Sequence, residues 1–119
     1  GVAIGLSLDG RIPLLWVERM DFMLLMSDQI VNHLSKLKLL SSGIHSPAVL
    51  IRCVVGNKDK PLFTGPTHCQ NFSRAFLELV DFPVIQLQWE SSILKEYEKA
   101  YRRALNGTST MLVEFKDYQ

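Results

Sequence analysis

Apolar and polar positions along the 119 residues fall into blocks, and each block has the period of one kind of element. Residues 2–8 are apolar and end at Asp9-Gly10, which reads as the end of an apolar helix. Residues 13–17, Pro-Leu-Leu-Trp-Val, form a short apolar run bounded by a turn and predict a buried strand. Over residues 21–40, Met23, Met26, Ile30, Val31, Leu34 and Leu37 recur at spacings that suit one face of a single long helix, ended by Ser41-Ser42-Gly43. Residues 48–55 are continuous, apolar and rich in β-branched side chains, the clearest strand. Residues 56–67 change to Gly, Asn, Lys, Asp, Pro and Thr and read as a loop. A helix over residues 69–80 and a strand over 83–87 follow. The next helix, 91–105, carries Ile93, Tyr97, Tyr101 and Ala104 on one stripe. Arg102 and Arg103 in its last turn and Asn106-Gly107 beyond it supply the dipole complement and a left-handed cap. The last strand is 110–114.

Short apolar strands separated by helices imply an α/β fold, three layers with a parallel sheet covered on both faces and right-handed crossovers. In such sheets ligands bind at the carboxyl ends of the strands. The 56–67 loop leaves that end of the clearest strand and is long for a compact domain, as functional loops often are.

Composition narrows the partners. The chain is 47% hydrophobic and 21% charged, which suits one globular domain over 1–119. Thirteen basic against twelve acidic residues leave +1, with no basic stripe, so no nucleic-acid partner is expected. No apolar run is long enough to span a membrane. Cys53 and Cys69 stand in no CxxC or zinc spacing; they read as reduced thiols of a cytoplasmic protein. The chain begins inside a helix and without Met, so it is read as an N-terminally truncated fragment.

His68, where Gly65-Pro66-Thr67 meets the next helix, is the strongest chemical candidate, because a histidine there can exchange protons with a ligand near neutral pH. The competing reading is a surface histidine in a capping loop. Cys69 could be activated by a helix N-terminus, but packing is its simpler role. Asp28, Gln29 and Asn32 lie about one turn apart on an apolar helix, where such groups bond neighbouring backbone or a partner subunit. Phe22 heads that helix and shares the functional edge, with core packing as its default. His33 and His45 share no metal spacing, and Lys58, Asp59 and Lys60 read as a solvated run or an anion contact. No dinucleotide fingerprint, Walker loop or metal motif is present.

Several stretches taken in order resemble the pyrimidine-binding domain of transketolase-like thiamine diphosphate enzymes, most closely the beta subunits of 2-oxoacid dehydrogenase E1 components. They are Gly1-Val2-Ala3-Ile4-Gly5-Leu6 with Gly10 and Pro13, Asp21-Phe22, Asp28-Gln29-Ile30-Val31-Asn32, Arg52 with Gly56, and Gly65-Pro66-Thr67-His68-x-Gln70. Val84-Ile85 and Met111-Leu112-Val113-Glu114 match its remaining strands. The resemblance implies that Phe22 stacks on the cofactor's aminopyrimidine and that His68 approaches the substrate. Asp28, Gln29 and Asn32 would support a subunit interface. Thiamine diphosphate would be shared with a diphosphate-binding domain or alpha subunit that holds magnesium, in a homodimer or larger oligomer acting on a 2-oxo acid or ketose. The parent would be an oxidoreductase or transferase, and the fragment alone inactive. The family's activating glutamate would precede Gly1. Cys69 stands where the beta subunits often have Ser, and Arg19 where several relatives have an aromatic residue. A degenerate, non-catalytic homologue serving as a binding or regulatory scaffold is the alternative. An unrelated flavodoxin-like domain would leave Phe22 and His68 apart.

Overall fold

The computed structural model describes residues 1–57 and 65–116. Four strands form one parallel sheet: β1 (Leu14–Val17), β2 (Leu50–Val55), β3 (Val84–Gln86) and β4 (Thr110–Phe115), in the order β1-β2-β4-β3. Ile51 pairs with Leu15 on one side and Met111 on the other, and Ile85 with Leu112. The expected parallel α/β arrangement is present.

Alternation along β2 sorts its side chains between two apolar layers. Val49, Ile51, Cys53 and Val55 face a core with Val17, Met20, Met23, Ile30, Leu34, Phe76, Met111 and Val113. Leu50 instead joins Leu112, Leu87, Ala100 and Ala104. The first layer is covered by α1 (Val2–Leu8), the helical stretch after β1, and α3 (Ser73–Leu79); the second by α4 (Ile93–Leu105). The β1-to-β2 and β2-to-β3 connections advance across the sheet over one face, and the β3-to-β4 connection returns over the other. Reversing direction and face together keeps one hand of crossover throughout.

The long helix expected over 21–40 is broken. A 3₁₀ helix, Met20–Met26, is followed by a π-helical turn, Gln29–Leu34, and a short α2, Leu37–Leu40. The reason lies in the spacing. Met20, Met23 and Met26 are three apart and stand directly above one another in a three-residue turn; the first two are completely buried. The π turn then carries the Ser35 N–H to the Ile30 carbonyl. That widening brings Ser35 inward with Ile30, where its hydroxyl donates to Asp81 (2.7 Å) and accepts from the Asp81 N–H (2.9 Å).

α3 also begins later than residue 69. Gln70 and Phe72 are held by side chains of the β1 side, and Asn71 accepts from the Ser73 N–H at 3.0 Å and so opens the helix there. On α4 the inward stripe is Ile93, Tyr97, Ala100 and Ala104; Tyr101, expected to join it, is 51% exposed. The predicted end of α4 is a Schellman motif. Thr108 and Gly107 donate to the carbonyls of Arg103 and Ala104, with Gly107 at φ +77°.

Candidate functional site

The carboxyl ends of β1 and β2 lie side by side, and the segments that leave them meet. Beyond β1, the Phe22 N–H bonds to the Arg19 carbonyl and closes the first 3₁₀ turn, which puts Phe22 at the sheet edge. Beyond β2, Gly56 is buried against the backbone of His68: a Cβ on Gly56 would stand 2.2 Å from the His68 carbonyl oxygen. Only glycine allows that approach. The chain returns through the 3₁₀ turn Gly65–His68, whose first residue has φ +74°.

His68 therefore sits at the end of β2 and meets Phe22. Their ring centroids are 5.2 Å apart, edge to face at 90°, a geometry favoured between aromatic rings. Thr67 Oγ1 is 3.1 Å from His68 Nδ1. Phe22 is 42% exposed, so the core-packing default for it does not hold. Asp21 braces the corner from beneath: its Oδ1 accepts from Gln70 Nε2 (2.9 Å) and from the Gln70 N–H (3.3 Å). Cys69 is buried with its thiol directed to the Gly65 carbonyl at 3.6 Å, a packing role.

Asp28, Gln29 and Asn32 are elsewhere, on the π turn. Asn32 Nδ2 donates to Asp28 Oδ1 at 2.8 Å. His33 Nδ1 lies 3.5 Å from Gln29 Nε2 and 3.5 Å from Asp28 Oδ2. Asp28 and Asn32 are exposed; Gln29 is half-buried and lines an apolar cavity of about 240 Å³ with Ala3, Ile4, Met26 and Ile30. Lys58, Asp59 and Lys60 lie outside the described residues. Among the described residues no group of three or more His, Cys, Asp or Glu could hold a metal ion, and no helix is long and apolar enough to cross a membrane.

Sequence reasoning missed a second polar assembly on the α4 face. Arg52 Nε donates to Glu114 Oε1 at 3.0 Å and its Nη2 to Oε2 at 2.6 Å. Tyr97 Oη donates to the same Oε1 at 2.6 Å, and the guanidinium lies 4.7 Å from the Trp16 ring centroid. The Glu114 hydrogen bond holds the Arg52 pKa above its ordinary value against the opposing effect of burial. Burial, then the Glu114 carboxylate, raises that of Tyr97. Burial pushes the Cys53 thiol, beneath the other face, up to about 12. The available signal was a charged residue at one position of each otherwise apolar strand. Arg19 and Asp21, both buried at the carboxyl edge, were also not singled out as chemical groups. No family model matches this chain, and no curated protein matches it.

Proposed function

We propose that this chain is the pyrimidine-binding domain of a thiamine diphosphate-dependent enzyme of the transketolase type, closest to 2-oxoacid dehydrogenase E1 beta subunits. The carrying observation is the meeting of Phe22 and His68 at the carboxyl edge of a parallel sheet. Those two residues leave different strands, and the resemblance assigns them to one site.

The side chains present fit the aminopyrimidine half of the cofactor. Phe22 is exposed beside His68 and offers a flat apolar ring for stacking. When bound, thiamine diphosphate supplies the nucleophilic carbon for cleavage or transfer next to a carbonyl. His68, with Nδ1 engaged by Thr67, would hold or pass a proton through Nε2 at a substrate oxygen. Magnesium and the diphosphate would be held by a partner domain or alpha subunit. The exposed Asp28 and Asn32, with Gln29, would face a subunit interface, in a homodimer or larger assembly. The substrate class is a 2-oxo acid or a ketose.

The test has two arms. The chain is titrated with the aminopyrimidine half of thiamine, and Phe22→Ala should weaken that binding about tenfold, the worth of one good ring contact. The parent is also purified from its native cells with whatever accompanies it. A stoichiometric subunit with a diphosphate-magnesium site supports the reading. No aminopyrimidine binding by the chain or by its native complex defeats it, and a stable complex without the cofactor would establish the scaffold alternative.

A further inference from the structure

The helix α1 stands off from the sheet it covers. None of its residues is buried, and its carboxyl end is pinned just before β2, where Ser7 Oγ accepts from the Ala48 N–H at 2.7 Å. Beneath its first turn lies the apolar cavity of about 240 Å³. The floor is fully buried: Val49 and Ile51 from the β2 segment, Ile30 and Leu34 from the π turn. Ala3 and Ile4 close it from above, half-buried. At the mouth Gly1 is exposed and Gln29 half-buried. Gln29 is the single polar side chain of the lining, and its Oε1 accepts no hydrogen bond among the described residues.

Two local features hold the space open. Ala3 is short where a larger side chain would reach the floor. The π turn, which carries the Ser35 N–H to the Ile30 carbonyl, widens the backbone beside Ile30 and Leu34, and such turns recur at functional sites. A space walled by Val, Ile and Leu forfeits the contacts of a close-packed interior, and water finds few partners in it. An apolar cavity of about 150 Å³ takes up benzene. The larger space under α1 has room for two fused rings or an aliphatic body of the same bulk. Apolar walls with one placed polar group are what orients a small molecule in a pocket. Here that group is an amide oxygen, which requires a donor.

We propose that this cavity binds a small aromatic or aliphatic molecule carrying one hydrogen-bond donor, with its apolar body between α1 and the sheet and its donor on Gln29 Oε1. The inference does not require thiamine diphosphate, because neither Phe22 nor His68 lines the cavity.

Calorimetric titration and thermal unfolding of the 119-residue chain test it, with indole and indene as probes. The two have the same shape, and indene carries a methylene in place of the indole N–H. Indole at about ten times its dissociation constant should raise the melting midpoint by roughly 5 °C. Indene should bind about fivefold more weakly, the worth of one hydrogen bond. Gln29→Leu should bring indole down to the affinity of indene without weakening indene. Ala3→Phe fills the space, so it should raise the ligand-free midpoint and weaken both probes by about tenfold or more. The proposal is overturned if neither probe binds, or if a folded Ala3→Phe chain keeps full affinity. Equal affinities for indole and indene, or a Gln29→Leu chain that still prefers indole, overturn it as well. Should Ala3→Phe not fold, the comparison of the two probes on wild type and Gln29→Leu decides alone. The aminopyrimidine titration reads Phe22 and this one reads Gln29 and Ala3, so either proposal can fail without the other.

Discussion

Replacing Gly56 by alanine perturbs the site at one atom. The backbone there is not in the left-handed region, so alanine brings no torsional strain, and the effect is purely steric. Its Cβ would lie 2.2 Å from the His68 carbonyl oxygen, 3.1 Å from the carbonyl carbon and 3.2 Å from the Cys69 Cα. All three are backbone atoms, so no side chain can rotate away, and the two segments must separate by about 1 Å to reach ordinary contact. Overpacking of this kind costs about 1–3 kcal/mol. Alanine recovers about 0.4–1 kcal/mol by restricting the unfolded chain. Because the obstacle is backbone, the steric cost wins, with a net loss of about 1–2 kcal/mol and a fall in melting midpoint of roughly 4–8 °C. His68 moves with its carbonyl, so its edge-to-face contact with Phe22 should loosen, and displacements of about 1 Å at a reacting group can cost about a hundredfold in rate. Calorimetry reads the midpoint, and the His68 ring protons, shifted by the Phe22 ring current, report the displacement by NMR. Gly5→Ala is the control: it lies in α1 with nothing within 4 Å of a Cβ. It should gain about 0.5–1 kcal/mol. An unchanged midpoint and unchanged His68 resonances in Gly56→Ala would refute the close approach and the positioning of His68 that depends on it.

Other predictions concern the α4 face. Arg52→Met leaves the buried Glu114 carboxylate without its cation and should cost about 3–5 kcal/mol, read by denaturant unfolding; most of the loss should return in Arg52→Met/Glu114→Leu. A cost below about 1 kcal/mol would mean that the pair behaves as a solvent-screened surface bridge. Alkaline stability follows from Tyr97 and Cys53, whose pKa values are raised in the fold from ordinary values of 10.0 and 9.0. Both bind a proton more tightly when folded, so their contribution is complete below pH 9 and is lost as pH rises through the folded values. The midpoint should fall progressively from pH 9 towards 12, and Tyr97→Phe should flatten the part above pH 10. A level wild-type profile from pH 9 to 12 would contradict both shifts.

The strands were readable because each is an apolar run whose burial is decided locally, and β2 needed only its own composition to be recognised. The cap of α4 was equally local, since Gly107 acts through its own φ. The 21–40 segment was harder. Apolar spacings of three and four belong equally to 3₁₀, α and π turns, and what selects among them is the part-buried Ser35–Asp81 bond, made to a residue far along the chain. The start of α3 likewise depends on Asp21 and Met20 holding Gln70 and Phe72. His68 was legible as a candidate from Gly65-Pro66 beside it. Its nearness to Phe22 was expected only through the family resemblance, because no local rule joins two crossovers. Arg19 gave no signal, since nothing in Val-Glu-Arg-Met reveals that this arginine is covered.

The two arginines near these strands are covered in different ways. Arg52 is 22% exposed over its side chain, and its donors meet both oxygens of Glu114, whose own charge is shared with Tyr97. Trp16 lies against the guanidinium. Charge and hydrogen-bonding capacity are answered within the chain, which offsets most of the cost of covering the group. Arg19 is covered over most of its length, but none of its guanidinium nitrogens is among the sealed polar atoms without a partner, so water reaches the charged head. What answers each charge distinguishes them: a carboxylate for Arg52, water for Arg19. A charge that the fold both covers and satisfies holds strands together, as Arg52 joins β2 to β4. A charge whose stem is covered while its head stays in water, as at Arg19, contributes packing without giving up its hydration.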